Sequence, residues 1–146
     1  MRAELKSDTN ALVLRKNYRG VATLTLNRPN SRNALSRAMI ATIQEELDNI
    51  ADDQSVRAVV FAANGPSFCA GHDMRELVNS KSPEFYDELF HACGHMMTSI
   101  MRLPQPVIAR VRGVATAAGC QLVATCDLAV ATNTVYFATP GVHIGL

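Results

Sequence analysis

The sequence predicts an α/β layer fold, and three observations predict it. Short runs rich in β-branched residues alternate with longer stretches whose apolar residues recur every three or four positions. Strong helix starts and stops lie between these runs. No linker or fixed-length repeat divides the chain, so residues 1–146 read as one domain.

The elements follow in order. Ala11–Lys16 and Val21–Asn27 are strand-like and are separated by Asn17-Tyr18-Arg19-Gly20. In the second run Ala22, Leu24 and Leu26 alternate with Val21, Thr23 and Thr25, the period of a half-buried strand. Arg28-Pro29-Asn30-Ser31 breaks it. Ser36 then caps a helix whose buried stripe is Met39, Ile43, Leu47 and Ile50. Val56–Ala63 reads as a buried strand, and Asn64-Gly65-Pro66-Ser67 as a turn. A short helix is predicted around Met74–Val78. Ser82-Pro83-Glu84 opens a longer one, with stripe Phe85, Leu89, Cys93, Met96 and Ile100, stopped at Leu103-Pro104. Pro106–Val111 is a strand, Gly113 a turn, Ala115–Thr125 a helix of mostly small residues, and Asp127–Thr132 a strand.

Composition narrows the function. The chain is 48% hydrophobic with a formal charge of +1, and its Lys and Arg residues are scattered, which argues against a nucleic-acid surface. No apolar run reaches the 18 or so residues of a membrane span. The polar start, Met1–Asn10, lacks the apolar stretch of a secretory signal. A cytoplasmic location is the default; a mitochondrial one follows if a presequence has been removed. Cys69, Cys93, Cys120 and Cys126 form no CxxC pair and are expected as reduced, buried thiols. His91 and His95 share a helix face, but no Glu follows as in HExxH, so no metal site is expected.

Two stretches put small residues where a backbone must approach something closely. Ala70-Gly71-His72-Asp73 and Gly113-Val114-Ala115-Thr116-Ala117-Ala118-Gly119-Cys120 each follow a strand and enter a helix. Free N–H groups at such a helix start favour negative charge on a bound oxygen. Tight helix packing explains the second stretch equally well.

In order and spacing, seven segments resemble the crotonase (enoyl-CoA hydratase/isomerase) superfamily. They are Leu26-Asn27-Arg28-Pro29, Asn33-Ala34-Leu35-Ser36, Ser67 to Asp73, Pro106-Val107-Ile108-Ala109, Gly113 to Leu122, Cys126-Asp127-Leu128-Ala129 and Phe137-Ala138-Thr139-Pro140. The resemblance implies a spiral of ββα units that binds an acyl-CoA thioester, with coenzyme A as part of the substrate and no separate cofactor. It implies that the backbone N–H groups of His72 and Ala118 hold the thioester oxygen, and that the loop Ala70, Gly71, His72, Asp73, Met74 lines the ligand path. Arg28 and Arg32 are candidates to meet CoA phosphates. Asp73 is more often a helix cap than a base in this family. The His72 side chain is a candidate acid or base, but in the family the side chain there varies and tends to point away from the reacting carbons, so a bystander is expected. The two glutamates of a hydratase would stand at Gln121 and Gly141. Gln121 cannot take a proton at neutral pH and Gly141 has no side chain. The resemblance also implies that a comparable length of chain follows in family members, completing the spiral and supplying trimer or hexamer contacts. The chain is therefore expected to be a truncated front half. Three functions follow as expectations: an acyl-CoA-binding homologue that is not an active enoyl-CoA hydratase, a lyase or isomerase of fatty-acid metabolism using another base, or a non-catalytic interaction protein.

Overall fold

The computed structural model describes residues 10–143. The polar start before Asn10 and the chain end at Gly145-Leu146 lie outside the described residues. Eight strands and four helices follow one another as β1 (Val13–Tyr18), β2 (Val21–Leu26), α1 (Arg37–Ala51), β3 (Ala58–Ala63), β4 (Ser67–Cys69), α2 (Met74–Ser80), α3 (Pro83–Arg102), β5 (Val107–Val111), β6 (Val114–Thr116), α4 (Ala118–Thr125), β7 (Leu128–Ala131) and β8 (Tyr136–Ala138). Strands are dealt alternately into two sheets: β1-β2-β3-β5-β7 and β4-β6-β8. From β3 onward each pair sends its first strand to the large sheet and its second to the small one, and helices return the chain. This is the expected ββα spiral.

β1 and β2 form a hairpin around Arg19 (φ 49°) and Gly20 (φ 81°), whose positive φ suits the twist of a two-residue turn. The strand therefore runs through Tyr18, further than the sequence suggested, because Asn17 and Tyr18 still pair across to Ala22 and Val21. The remaining strands of the large sheet are parallel, with Leu24 opposite Phe61 and Phe61 opposite Ala109. Ala22, Leu24 and Leu26 are fully buried, as their alternation predicts.

Helix α1 is capped by Ser36 Oγ, which accepts from Met39 N at 3.1 Å, and buries Met39, Ile40, Ile43, Leu47 and Ile50. Ser82 caps α3, Pro83 takes its first turn, and Leu89, Cys93, Met96, Met97 and Ile100 are buried against the core. Phe85 is only partly buried, since it lies in the first turn, at the rim of that core.

The small sheet departs from two of these expectations and adds a third strand. Ser67 begins strand β4 rather than closing a turn, Ala115 and Thr116 belong to β6 with α4 starting at Ala118, and Tyr136–Ala138 is a further strand. Three-residue strands are too short to carry a period, and small residues favour neither state.

Candidate functional site

The first loop is held by the segment after β2. Asn33 is fully buried with φ 52°; its amide donates to the carbonyls of Asn64 and Ser67, both at 2.9 Å, and its Oδ1 accepts from Arg28 N at 2.8 Å. This residue fixes the chain on either side. Ala70 N then donates to Arg32 O at 3.1 Å, Leu35 N to Gly71 O at 2.7 Å and Asp73 N to Leu35 O at 3.2 Å. Asp73 caps α2 by accepting from Arg75 N at 3.0 Å, and its other oxygen takes Arg28 at 2.6 Å. Burial works to raise the Asp73 pKa, but Arg28 and the α2 N–H groups outweigh it and hold the carboxyl below its ordinary range.

The second segment presses against the first. Gly71 has φ +92°, and a β-carbon there would stand 2.9 Å from Ala117 Cβ and 3.3 Å from Ala118 N. Thr116 Oγ1 donates to Ala70 O at 3.2 Å, and Ala117 N to Ala138 O at 2.9 Å. Ala117 itself sits at φ 50°, ψ −126°, a region that favours glycine. One turn on, a Gly119 β-carbon would run into the Cys69 carbonyl. Close packing explains Gly119, which lets α4 cross β4. Ala117 and the buried Ala118 border a space left between the two segments.

That space is a cavity of about 670 Å³. Ala70, His72 and Met74 line it from the first loop, and Ala117, Ala118 and Gln121 from the start of α4. Leu77 and Phe90 close one side, and Pro140 and Gly141 approach from the 3₁₀ turn Pro140–His143. Its wall is mostly apolar with few polar groups, the usual make-up of a small-molecule site. Gln121 is exposed and its amide makes no hydrogen bond among the described residues. The His72 ring meets Phe90 edge-on at 5.1 Å and 88°. Its Nδ1 is buried without a hydrogen-bond partner, and burial lowers the ring's pKa from 6.5 against a smaller opposing effect of the Leu35 carbonyl.

Residues 16–146 match the enoyl-CoA hydratase/isomerase family over most of the chain. The chain belongs to that family. It is similar to enoyl-CoA hydratase domain-containing protein 3, mitochondrial, of Danio rerio: 44% identical over 146 residues, 100% of this chain and 50% of that protein. Among solved structures, an enoyl-CoA hydratase of Mycobacterium smegmatis superposes with a TM-score of 0.91 at 57% identity, covering 93% of this chain and 53% of that one. Human enoyl-CoA hydratase domain-containing protein 3 gives 0.89 at 41%, covering 93% and 54%. The chain spans about half the length of the curated relatives it matches.

Against the family pattern, the cavity gathers Ala70, His72, Met74, Ala118, Gln121 and Gly141, while Gly71 and Asp73 shape the loop without lining it. Arg28 is engaged by Asp73, whereas Arg32 is exposed with no side-chain partner among the described residues. Asn33 and Ala117 fall inside segments named above but nothing local marks either as a site residue, and Phe90 lies beside the buried stripe of α3. Burial pushes the thiol pKa of Cys69 and Cys126 up to about 12 and that of Cys93 to about 11, so these thiols are poor nucleophiles. Cys120 and Cys126 are half-buried rather than buried. His95 Nδ1 pairs with Gln44 Oε1 at 3.0 Å and His91 with Asp87 at 3.2 Å. No helix among the described residues is long and apolar enough to cross a membrane.

Proposed function

We propose that this segment forms the thioester-binding part of an acyl-CoA protein that is not an effective enoyl-CoA hydratase. The His72 and Ala118 N–H groups hold the thioester oxygen, and Ala70 and Met74 line the ligand path. One observation carries the reading: the two small-residue segments and positions 121 and 141 meet in a single cavity that no carboxylate lines among the described residues. Charge that builds on a thioester oxygen is stabilised by such fixed N–H donors, and losing one typically costs about 10²–10³ in rate. Moving protons is a separate task, worth roughly 10²–10⁴ in rate for each positioned group. Gln121 and Gly141 cannot perform it. Metal and cofactor have no part in the proposal beyond coenzyme A on the substrate.

A lyase or isomerase that uses another base is the second reading, favoured by one observation, the His72 ring in the cavity wall. The relatives' names favour a mitochondrial location over a cytoplasmic one. Assembly as a homotrimer or hexamer goes with the first reading and agrees with the exposed apolar residues of β7 and β8.

The test is titration of butyryl-CoA by calorimetry, with crotonyl-CoA hydration followed as loss of enoyl thioester absorbance. Binding without appreciable hydration is expected. Gln121→Glu with Gly141→Glu should raise hydration more than either change alone, because both groups act on one water. Brisk hydration by the unaltered protein would sink the proposal, as would unchanged binding in folded Ala118→Pro, which lacks the N–H.

A further inference from the structure

Resting on the acyl-CoA reading, we propose that the His72 imidazole is the proton-transfer group of this cavity, its Nε2 removing and returning a proton on the carbon next to the bound thioester.

Among the described residues lining the cavity, His72 is the only titratable side chain; Gln121 is the other polar one and cannot take a proton. Asp73 is capped onto α2 and paired with Arg28, and it does not reach the cavity. His91 and His95 belong to a separate groove on the outer face of α3.

The ring is also presented for the task. Phe90 packs edge-on against it and fixes its plane. Nδ1 is shut away from solvent, which leaves Nε2 as the nitrogen that a ligand can meet. The backbone N–H of the same residue is the proposed oxygen donor. A thioester held there would lie beside the residue that carries the ring, in the cavity His72 lines. Burial keeps the ring neutral near pH 7, which is the form that accepts a proton.

The step balances without a co-reactant. The C–H bond next to the carbonyl breaks and Nε2 gains the proton. The released pair forms the carbon–carbon double bond of the enolate, and the carbonyl π pair moves onto oxygen between the two N–H donors. Return of the proton restores the thioester. In D2O the imidazolium exchanges first, so deuterium enters the substrate.

The measurement is deuterium entry into the acyl chain of butyryl-CoA in D2O by mass spectrometry, alongside its affinity by calorimetry. The unaltered protein is expected to bind and to exchange. His72→Gln keeps the backbone N–H and should keep most of the affinity while exchange falls about 100-fold or more. In His72→Ala, added imidazole should restore exchange, which a merely structural ring would not permit. Exchange in His72→Gln equal to the unaltered protein, or binding by the unaltered protein with no exchange, would overturn the assignment and leave the acyl-CoA reading standing. Absence of binding by the unaltered protein would overturn both. If His72→Gln does not fold, the response of His72→Ala to imidazole decides.

Discussion

Strands β3 and β7 flank β5 on its two sides, both parallel to it, and both are built from Ala, Val and one large apolar residue. Their fates differ. Val59 and Phe61 of β3 are fully buried, whereas Leu128 and Val130 of β7 are 63% and 64% exposed. Register explains part of this. Leu128 pairs with Ile108 and Val130 with Arg110, on the outer face of the sheet, while Ala129 and Ala131 lie beside Ala109 and Val111. Yet Ala129 and Ala131 are exposed too, because among the described residues β7 is the edge strand of its sheet. Strand composition marks a residue for burial, and only the neighbouring layer delivers it.

The largest expected effect tests that contrast. Phe61→Ala should destabilise by about 4 kcal/mol, the usual cost of emptying a packed aromatic site. Leu128→Ala should stay within about 0.5 kcal/mol, as for a bare surface position. Chemical denaturation midpoints at matched slopes measure both. A large loss in Leu128→Ala would mean that another chain covers β7 in solution. Light scattering of Leu128→Lys with Val130→Lys, which charges the edge, then shows whether an oligomer dissolves.

The same contrast explains what could be read from the sequence. Ser36 and Ser82 announced α1 and α3, and the period of Ala22, Leu24 and Leu26 announced β2, because local chemistry and tertiary burial agree there. The small sheet was illegible since Ser67–Cys69, Val114–Thr116 and Tyr136–Ala138 are each one residue triplet. In the cavity, Gln121 and Gly141 stood out only through family resemblance, twenty positions apart in sequence. Phe90 falls beside the buried stripe of α3, so its period marked it as surface. Asn33 makes two long-range hydrogen bonds, to the carbonyls of Asn64 and Ser67, that no local pattern encodes.

The loop between β4 and α2 offers the next effect. Asp73→Ala removes both a helix cap and the partner of Arg28, and should cost about 2 kcal/mol at pH 7. The folded pKa of Asp73 is lowered, so its contribution is present above the unfolded value of 3.8 and is lost as pH falls through the folded one. His72 acts at higher pH. Its folded pKa is lowered from 6.5, so the folded state resists the proton, and stability drops as pH falls below 6.5 toward that lower value. Urea midpoints at pH 7 and 5 should converge in His72→Leu relative to the unaltered protein, while Asp73→Ala should flatten only the more acid range. An unaltered slope between pH 7 and 5 in His72→Leu would show that another group governs it.

The smallest expected effect lies at the turn into α4, where the well-packed and the open parts of the molecule meet. Ala117 holds φ 50°, ψ −126° with its N–H bonded to Ala138 O and its own carbonyl taking the Gln121 N–H at 3.1 Å. Those two bonds, with Gly71 packed alongside, keep the residue in a conformation its side chain resists. Such strain costs of order 1–3 kcal/mol. Ala117→Gly relieves it but frees the unfolded chain, which offsets about 0.4–1 kcal/mol. A net gain of about 1 kcal/mol follows, or roughly 3 °C in Tm for a chain of this size. Loss of the methyl also opens the cavity wall beside Ala118. Butyryl-CoA affinity therefore separates two roles for the strain. Unchanged affinity in the stabilised variant means that the bonds to Ala138 and Gln121 alone aim the Ala118 N–H. Weakened affinity despite a higher Tm means that the alanine is retained to hold that N–H in line. A fall in Tm would show that the packing of Ala117 against Gly71 outweighs its backbone strain.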